Sequence, residues 1–247
     1  MGARSLGLGN ASACLYDHWA MVNNIAGLAK VEESSVAFTY DMQPGFKPFD
    51  RMAGVFAVPT KFGVAGAGVF RFGDELYNEN VVTVGFANTF GLASIGLRAN
   101  YIQYKAAPFG SKGLFTISFG GIAKLSEKIF VGAHILNINQ PDISRSEKEK
   151  LPTTMALGVA AQLTSQTLVS AEVEKELSNS VKWKAGIEYK PLSKFTARTG
   201  VNINPDAVFF GVGFKSAHVC LDYAYRHNFI FGSRHQATVG YMLKKKK

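Results

Sequence analysis

Residues 92–104 read LASIGLRANYIQY, and apolar and polar side chains alternate along this run with a period of two. The apolar face consists of Ala93, Ile95, Leu97, Ala99 and Tyr101. The polar face consists of Ser94, Gly96, Arg98 and Asn100. This alternation is typical of a β-strand with one apolar face. The run therefore predicts a strand.

The same period recurs from residue 33 to the end of the chain, interrupted by turn residues. We assign fourteen strands in this way, over residues 34–41, 51–59, 62–72, 79–88, 92–104, 114–123, 128–138, 153–163, 167–175, 181–190, 194–202, 206–214, 217–226 and 235–243. Residues 1–32 lack the period and are rich in Gly, Ala and Asn. We therefore expect an N-terminal segment, residues 1–32, followed by a strand region, residues 33–247.

A soluble β-sandwich would also alternate apolar with polar residues. However, fourteen consecutive strands of similar length suit a meander closed on itself. The polar faces hold mostly Gly, Ala, Ser and Thr, as a crowded interior requires, and the apolar faces carry almost no charge. In hydrocarbon, a charged side chain near the midplane costs roughly 2–4 kcal/mol. We therefore predict an all-β fold: a 14-stranded antiparallel up-and-down transmembrane β-barrel.

Composition excludes several other classes of protein. The 247 residues are 18% charged and 12% aromatic, which excludes intrinsic disorder. Two cysteines and five histidines show no metal-ligand spacing, and no motif marks a catalytic site, so we expect no enzyme, cofactor or metal. The net charge of +9 is scattered rather than gathered in one stripe, which argues against nucleic-acid binding. Residues 1–10 lack the apolar run of a signal peptide, so the sequence could be a mature form.

In a barrel, the charged residues on the polar strand faces would point into the lumen. These predicted lumen-lining charges are Arg98, Glu172, Glu174, Lys182, Lys184, Glu188, Arg198, Asp222 and Arg226. The acidic pair at 172 and 174 precedes the basic pair at 182 and 184 on the next strand, so opposite charges can meet across the ladder. Such charges could select solutes or could fill a narrow lumen with ion pairs, and we favour the structural role.

Short and longer connections alternate along the predicted strands, as in outer-membrane barrels. The short turns and the end of the chain are rich in lysine, whereas the longer loops carry mixed charge. These lysines are Lys61, Lys124, Lys128, Lys190, Lys194, Lys215 and Lys244–Lys247. We expect both termini to be periplasmic, so that this positive charge faces anionic headgroups.

The N-terminal segment resembles a known family. Residues 2–11 read GARSLGLGNA and residues 23–28 read NNIAGL. This arrangement is similar to the opening of FadL-type outer-membrane barrels, and most of all to the PorV and PorQ branch of Bacteroidota. The residues that carry it are Gly2, Ala3, Arg4, Gly7, Gly9, Asn24, Ala26, Gly27 and Leu28. Ile25 replaces the family's proline, and the chain is shorter than family members.

The resemblance implies a fourteen-stranded barrel whose residues 1–32 form a plug that enters the lumen from the periplasm. It also allows inward-facing Cys220 to lie near Cys14, with a disulfide as one possibility.

Two functions follow from the resemblance. The first is a structural or accessory subunit of a larger outer-membrane complex, for type IX-like protein secretion or for barrel assembly. Its partners would be outer-membrane lipid and other outer-membrane or periplasmic proteins. The alternative is a FadL-like passive channel for the uptake of hydrophobic small molecules. The lumen distinguishes the two, because a channel needs a path through it.

Overall fold

In the computed structural model, which describes residues 1–143, 149–177 and 179–243, fourteen antiparallel strands form one closed barrel. The strands are β1 Ser34–Met42, β2 Arg51–Thr60, β3 Gly63–Gly73, β4 Tyr77–Phe90, β5 Ala93–Ala106, β6 Gly110–Lys124, β7 Ile129–Leu136, β8 Thr154–Gln162, β9 Thr167–Glu176, β10 Lys182–Leu192, β11 Phe195–Ile203, β12 Ala207–Lys215, β13 Val219–Asn228 and β14 Gly232–Leu243. Each strand pairs with its sequence neighbours, and β1 closes the barrel against β14. The prediction of a 14-stranded antiparallel barrel is confirmed.

The barrel exposes apolar side chains and buries polar or small ones, which is the reverse of the pattern in a soluble protein. Large apolar side chains such as Phe38, Phe115 and Val212 are exposed on the outer surface, whereas Thr39, Thr116 and Gly211 on the opposite strand faces are buried. An apolar outer surface matches contact with acyl chains, and closure leaves no unpaired strand edge in lipid. No helix among the described residues is long and apolar enough to cross a bilayer.

The two ends of the barrel differ in their connections. At one end, here called the turn end, short turns such as Thr60–Gly63 and Leu192–Phe195 join the strands, and β1 begins and β14 ends there. The other end is called the loop end. Its longest connection joins β7 to β8, between Leu136 and Thr154. The lysine run Lys244–Lys247 lies outside the described residues.

Several strands are longer than the alternation predicts. Strands β4, β5 and β6 contain 14, 14 and 15 residues, whereas crossing an outer membrane takes roughly 9–11. Ala106 pairs with Gly110, so only three residues join β5 to β6 where we predicted a nine-residue loop. The connections after β3 and β13 are likewise shorter than the loops we predicted there. Backbone pairing continues into polar strand ends that carry no apolar alternation.

The N-terminal segment, residues 1–32, begins with the short helix α1, Ala3–Gly7, and contains two 3₁₀ helices, His18–Met21 and Ile25–Lys30. Asp17 and Asn24 cap the 3₁₀ helices, because their side chains accept hydrogen bonds from the backbone N–H groups of Trp19 and Ala26. Most residues of this segment are buried.

Candidate functional site

The N-terminal segment packs against lumen-facing residues on two sides of the barrel. On strands β9–β13, here called the ionic wall, the contacts are mainly ion pairs. On strands β2–β6, here called the apolar wall, they are mainly apolar. The lumen and this segment together form the candidate site.

Arg4 is the principal ionic contact of the segment. Its Nε donates to Glu188 Oε2 at 2.9 Å, its Nη2 donates to Glu188 Oε1 at 3.1 Å, and its Nη1 donates to Asp17 Oδ2 at 2.9 Å. Glu188 also accepts from Arg198 Nε at 2.7 Å, and Arg198 in turn pairs with Asp222. Two-point contacts between guanidinium and carboxylate fix orientation as well as charge. This chain of charges therefore ties α1 to β10, β11 and β13.

Glu172 ties a second point of the segment to the ionic wall. Its Oε2 accepts hydrogen bonds from the backbone N–H groups of Ser12 at 2.8 Å and Ala13 at 2.7 Å. Its Oε1 accepts from Lys184 Nζ at 2.7 Å. Lys184 also pairs with Glu174, which accepts from Lys182 Nζ at 2.9 Å. The four charges are direct neighbours across the ladder, since Glu172 is opposite Lys184 and Glu174 is opposite Lys182.

On the apolar wall, the segment contributes Met21, Ile25 and Leu28, all of them buried. They form one apolar cluster with Ala37 of the neighbouring strand β1 and with small and branched residues of the wall strands β2–β4, namely Ala53, Val55, Ala57, Val64 and Ala87. Burial of this kind stabilises by roughly 25 cal/mol per Å² of apolar surface. The apolar wall therefore supplies contact area without fixed directions.

Two glycines show how closely the backbone approaches the wall. A Cβ at Gly200 on β11 would meet the backbone of Leu8 and Gly9. A Cβ at Gly120 on β6 would meet the side-chain oxygen of Asn24. The Nδ2 of Asn24 donates to the carbonyls of Ala13 at 2.6 Å and Gly121 at 3.2 Å. Asn24 thus joins two parts of the segment to the wall.

The remaining residues of the sequence resemblance lie in the same segment. Gly2 and Gly9 both have positive φ, +91° and +65°, a backbone conformation that favours glycine. The backbone N–H of Ala3 donates to Thr238 Oγ1 at 3.0 Å, and Gly7 approaches the backbone of Gly211. The buried residues Ala26, Gly27 and Leu28 belong to the second 3₁₀ helix.

Arg98 differs from the other charges. It is buried, and its Nη1 donates to the carbonyl of Met21 at 2.8 Å, at the end of the first 3₁₀ helix. In the described part of the chain it has no acidic partner, and its Nε has no hydrogen bond. Among the residues that the structure describes, seven of the nine predicted charges therefore form ion pairs, whereas Arg98 and Arg226 form none.

Burial and neighbouring charge perturb the ionisable groups of the segment. Although burial lowers the pKa of Arg4, the carboxylates of Glu188 and Asp17 outweigh it and raise the pKa. Burial lowers the pKa of His18, while Asp17 acts in the opposite direction. Burial, with a further contribution from Glu172, raises the pKa of Cys14 to about 12, so its thiol stays protonated at neutral pH.

Cys14 and Cys220, for which the resemblance left a disulfide open, are both free thiols in this structure. Cys14 Sγ lies 3.4 Å from the carbonyl oxygen of Gly158 on β8, whereas Cys220 is on β13 beside Gly240. Facing the same lumen does not place two residues on the same side of it.

The segment separates two cavities. The turn-end cavity has a volume of about 430 Å³ and is lined by Arg4, His18, Glu188, Arg198, Cys220 and Asp222, among others. The loop-end cavity has a volume of about 330 Å³ and is lined by Asp41, Arg51, His134, Lys184, Arg226 and Arg234, among others. Both linings mix apolar residues with many charges.

Sequence reasoning missed four of these charged residues. Asp17 caps a 3₁₀ helix and pairs with Arg4. Asp41 accepts a hydrogen bond from Arg234 Nε at 3.0 Å, and both are buried. Arg51 lies opposite Asp41 in register. Asp41 shares a strand face with Ala37 and Thr39, so the period of two could have identified it.

No protein-family profile matches this sequence, and no curated protein matches it. Solved structures do match. The toluene transporter TodX of Pseudomonas putida has a TM-score of 0.74 at 12% identity, with 98% of this chain and 97% of that one covered. The monoaromatic hydrocarbon channel CymD has a TM-score of 0.74 at 13% identity, with 100% and 98% covered. The porin KdgM has a TM-score of 0.51 at 10% identity, with 85% and 99% covered.

These likenesses concern the fold. The chain has the fold of the FadL-type outer-membrane barrels, and it matches TodX and CymD over almost their whole length. The comparisons give no support to the narrower resemblance to the PorV and PorQ branch of Bacteroidota.

Proposed function

We propose that this protein is an outer-membrane channel of the FadL type that admits small hydrophobic molecules, with the N-terminal segment as its plug. The supporting observation is a segment held between two cavities of a barrel that matches TodX and CymD from end to end. We propose further that the turn end, where β1 begins and β14 ends, faces the periplasm, and that the protein is not an enzyme.

The ionic wall gives this proposal a mechanism. The contacts of Arg4 and Glu172 hold the segment at two points, so a path past it requires these contacts to break or shift. The barrel wall keeps its backbone hydrogen bonds throughout, because they run between strands and do not involve the segment. The segment can therefore move without opening the barrel.

Uptake by whole cells tests the proposal, because an intact outer membrane is the barrier that such a channel crosses. A host that lacks its own FadL-type channels would receive the wild-type gene or an empty vector, and uptake of labelled toluene would be measured. We expect faster, saturable uptake with the protein than without it. Uptake equal to that of the empty vector, in cells that contain the folded barrel, would contradict the proposal.

The accessory-subunit function for protein secretion or barrel assembly remains a prediction of the sequence resemblance, and no comparison supports it. Purification in a mild detergent followed by mass spectrometry separates it from the channel. Stable co-purification with other outer-membrane proteins favours the subunit. A monomer that retains hydrophobic solutes favours the channel.

A further inference from the structure

The loop-end cavity carries an excess of positive charge. Five basic side chains line it, namely Arg51, Lys182, Lys184, Arg226 and Arg234. Three acidic side chains line it, namely Asp41, Glu172 and Glu174. Lys182 pairs with Glu174, Lys184 pairs with both glutamates, and Arg234 pairs with Asp41. Among the described residues, Arg51 and Arg226 are left without a carboxylate partner.

The strand register places these two arginines on either side of the Arg234–Asp41 pair. Arg226 on β13 lies opposite Arg234 on β14, and Asp41 on β1 lies opposite Arg51 on β2. Adjacent strands are about 4.8 Å apart, so the four side chains form one row along the inner surface of β13, β14, β1 and β2. We call these four residues the arginine row, and its formal charge is +2.

Unpartnered hydrogen-bond donors face the same cavity. Gln236 is 2% exposed, lies opposite Asp41 in register, and its Nε2 has no partner among the described residues. The Nε of Arg226 is also buried without a partner there. A buried donor left unpaired is unfavourable, and like charges in one row repel each other. A bound anion would relieve both.

We infer that the loop-end cavity is a binding site for a small oxyanion of the carboxylate or phosphate class, held by Arg51, Arg226 and Gln236. The planar guanidinium fork donates two parallel hydrogen bonds to such an anion, and the amide of Gln236 adds a neutral donor. Arg234 lies beside the site and is held in place by two contacts. It pairs with Asp41, and its Nη2 donates to the carbonyl of Phe49 at 2.7 Å. The site goes beyond the proposed channel function, since it requires no hydrophobic solute.

Isothermal titration calorimetry on the full-length protein in an uncharged detergent at low salt tests the inference. The probes are inorganic phosphate and benzoate. We expect saturable binding of at least one probe, weakened about tenfold or more by Arg226→Gln and by Arg51→Gln. The matched control is Arg71→Gln, because Arg71 lies near the same end of the barrel but is exposed on the outer face of β3. It should bind as the wild type does.

The preferred probe identifies the anion class. Absence of saturable binding of both probes to the wild type would overturn the inference, as would an equal loss in the Arg71→Gln control. If a glutamine variant does not fold, Arg226→Lys keeps the charge but removes the fork, and we expect it to weaken binding. Unchanged binding in a folded Arg226→Lys together with Arg51→Lys would also overturn the inference. Toluene uptake does not enter this measurement, so its outcome leaves the proposed channel untouched.

Discussion

The ionic wall and the apolar wall hold the same segment by different physical means. On the ionic wall, Arg4 and Glu172 make directed contacts whose geometry fixes where residues 1–13 lie. On the apolar wall, Met21, Ile25 and Leu28 fill space beside small wall residues. Directed contacts are sensitive to the loss of one charge, whereas close packing is sensitive to added volume. The two walls should therefore respond to different substitutions.

Glu188→Gln should have the largest effect. The Glu188 side chain is 1% exposed and pairs with Arg4 and Arg198, so its neutralisation takes a carboxylate from the buried guanidinium of Arg198 and from the partly buried one of Arg4. Removing one partner of a buried ion pair typically costs about 3–5 kcal/mol. Thermal unfolding in detergent and protease cleavage within residues 1–32 measure this loss. The control Glu127→Gln removes a carboxylate that is 90% exposed at a turn and should change neither.

Gly120→Val tests the apolar wall. The added side chain would collide with Asn24, and overpacking of this kind typically costs about 1–3 kcal/mol. We expect increased protease cleavage within residues 1–32 while the barrel persists. Gly121→Val is the matched control, since the neighbouring glycine meets only one atom at 3.9 Å. Equal cleavage in both variants would show that Asn24 does not hold the segment there.

Arg98→Met tests whether a buried charge stabilises the protein when it is not part of an ion pair, because Arg98 has no acidic partner among the described residues. Removing it deletes one hydrogen bond to Met21 but also relieves the burial of a charge. These effects oppose each other, so we expect the free energy of unfolding to change by no more than about 1 kcal/mol. A loss as large as that of Glu188→Gln would mean that Arg98 has a charge partner we have not identified.

The smallest expected effect concerns pH. Burial lowers the pKa of His18, so the folded protein binds fewer protons than the unfolded chain below the ordinary histidine value of roughly 6.5. Stability from this group is present above that pH and is lost as the pH falls. His18→Gln should therefore show a smaller drop in unfolding temperature than the wild type between about pH 7.5 and about pH 5.5. An identical drop in both proteins would contradict this assignment.

The sequence predicts the barrel because alternation is a local property that each strand displays by itself. It also predicts that Glu172 and Lys184 lie opposite each other, because they are on adjacent strands of one hairpin. It does not predict that Arg4 pairs with Glu188, 184 residues away, because the period gives the face of a strand but not its position around the barrel. For the same reason, the sequence does not show how far apart Cys14 and Cys220 lie around the lumen. The polar strand ends near Tyr77 and Gly110 were not predicted, because backbone pairing extends the strands there without any apolar alternation in the sequence.

The most direct test of the account is the ionic conductance of the purified protein in planar bilayers. If the N-terminal segment closes the lumen between the two walls, the wild type should be silent or nearly so. A variant lacking residues 1–32 should then conduct ions, and Glu188→Gln should open intermittently. A wild type that conducts steadily, at the same level as the variant lacking residues 1–32, would contradict the account.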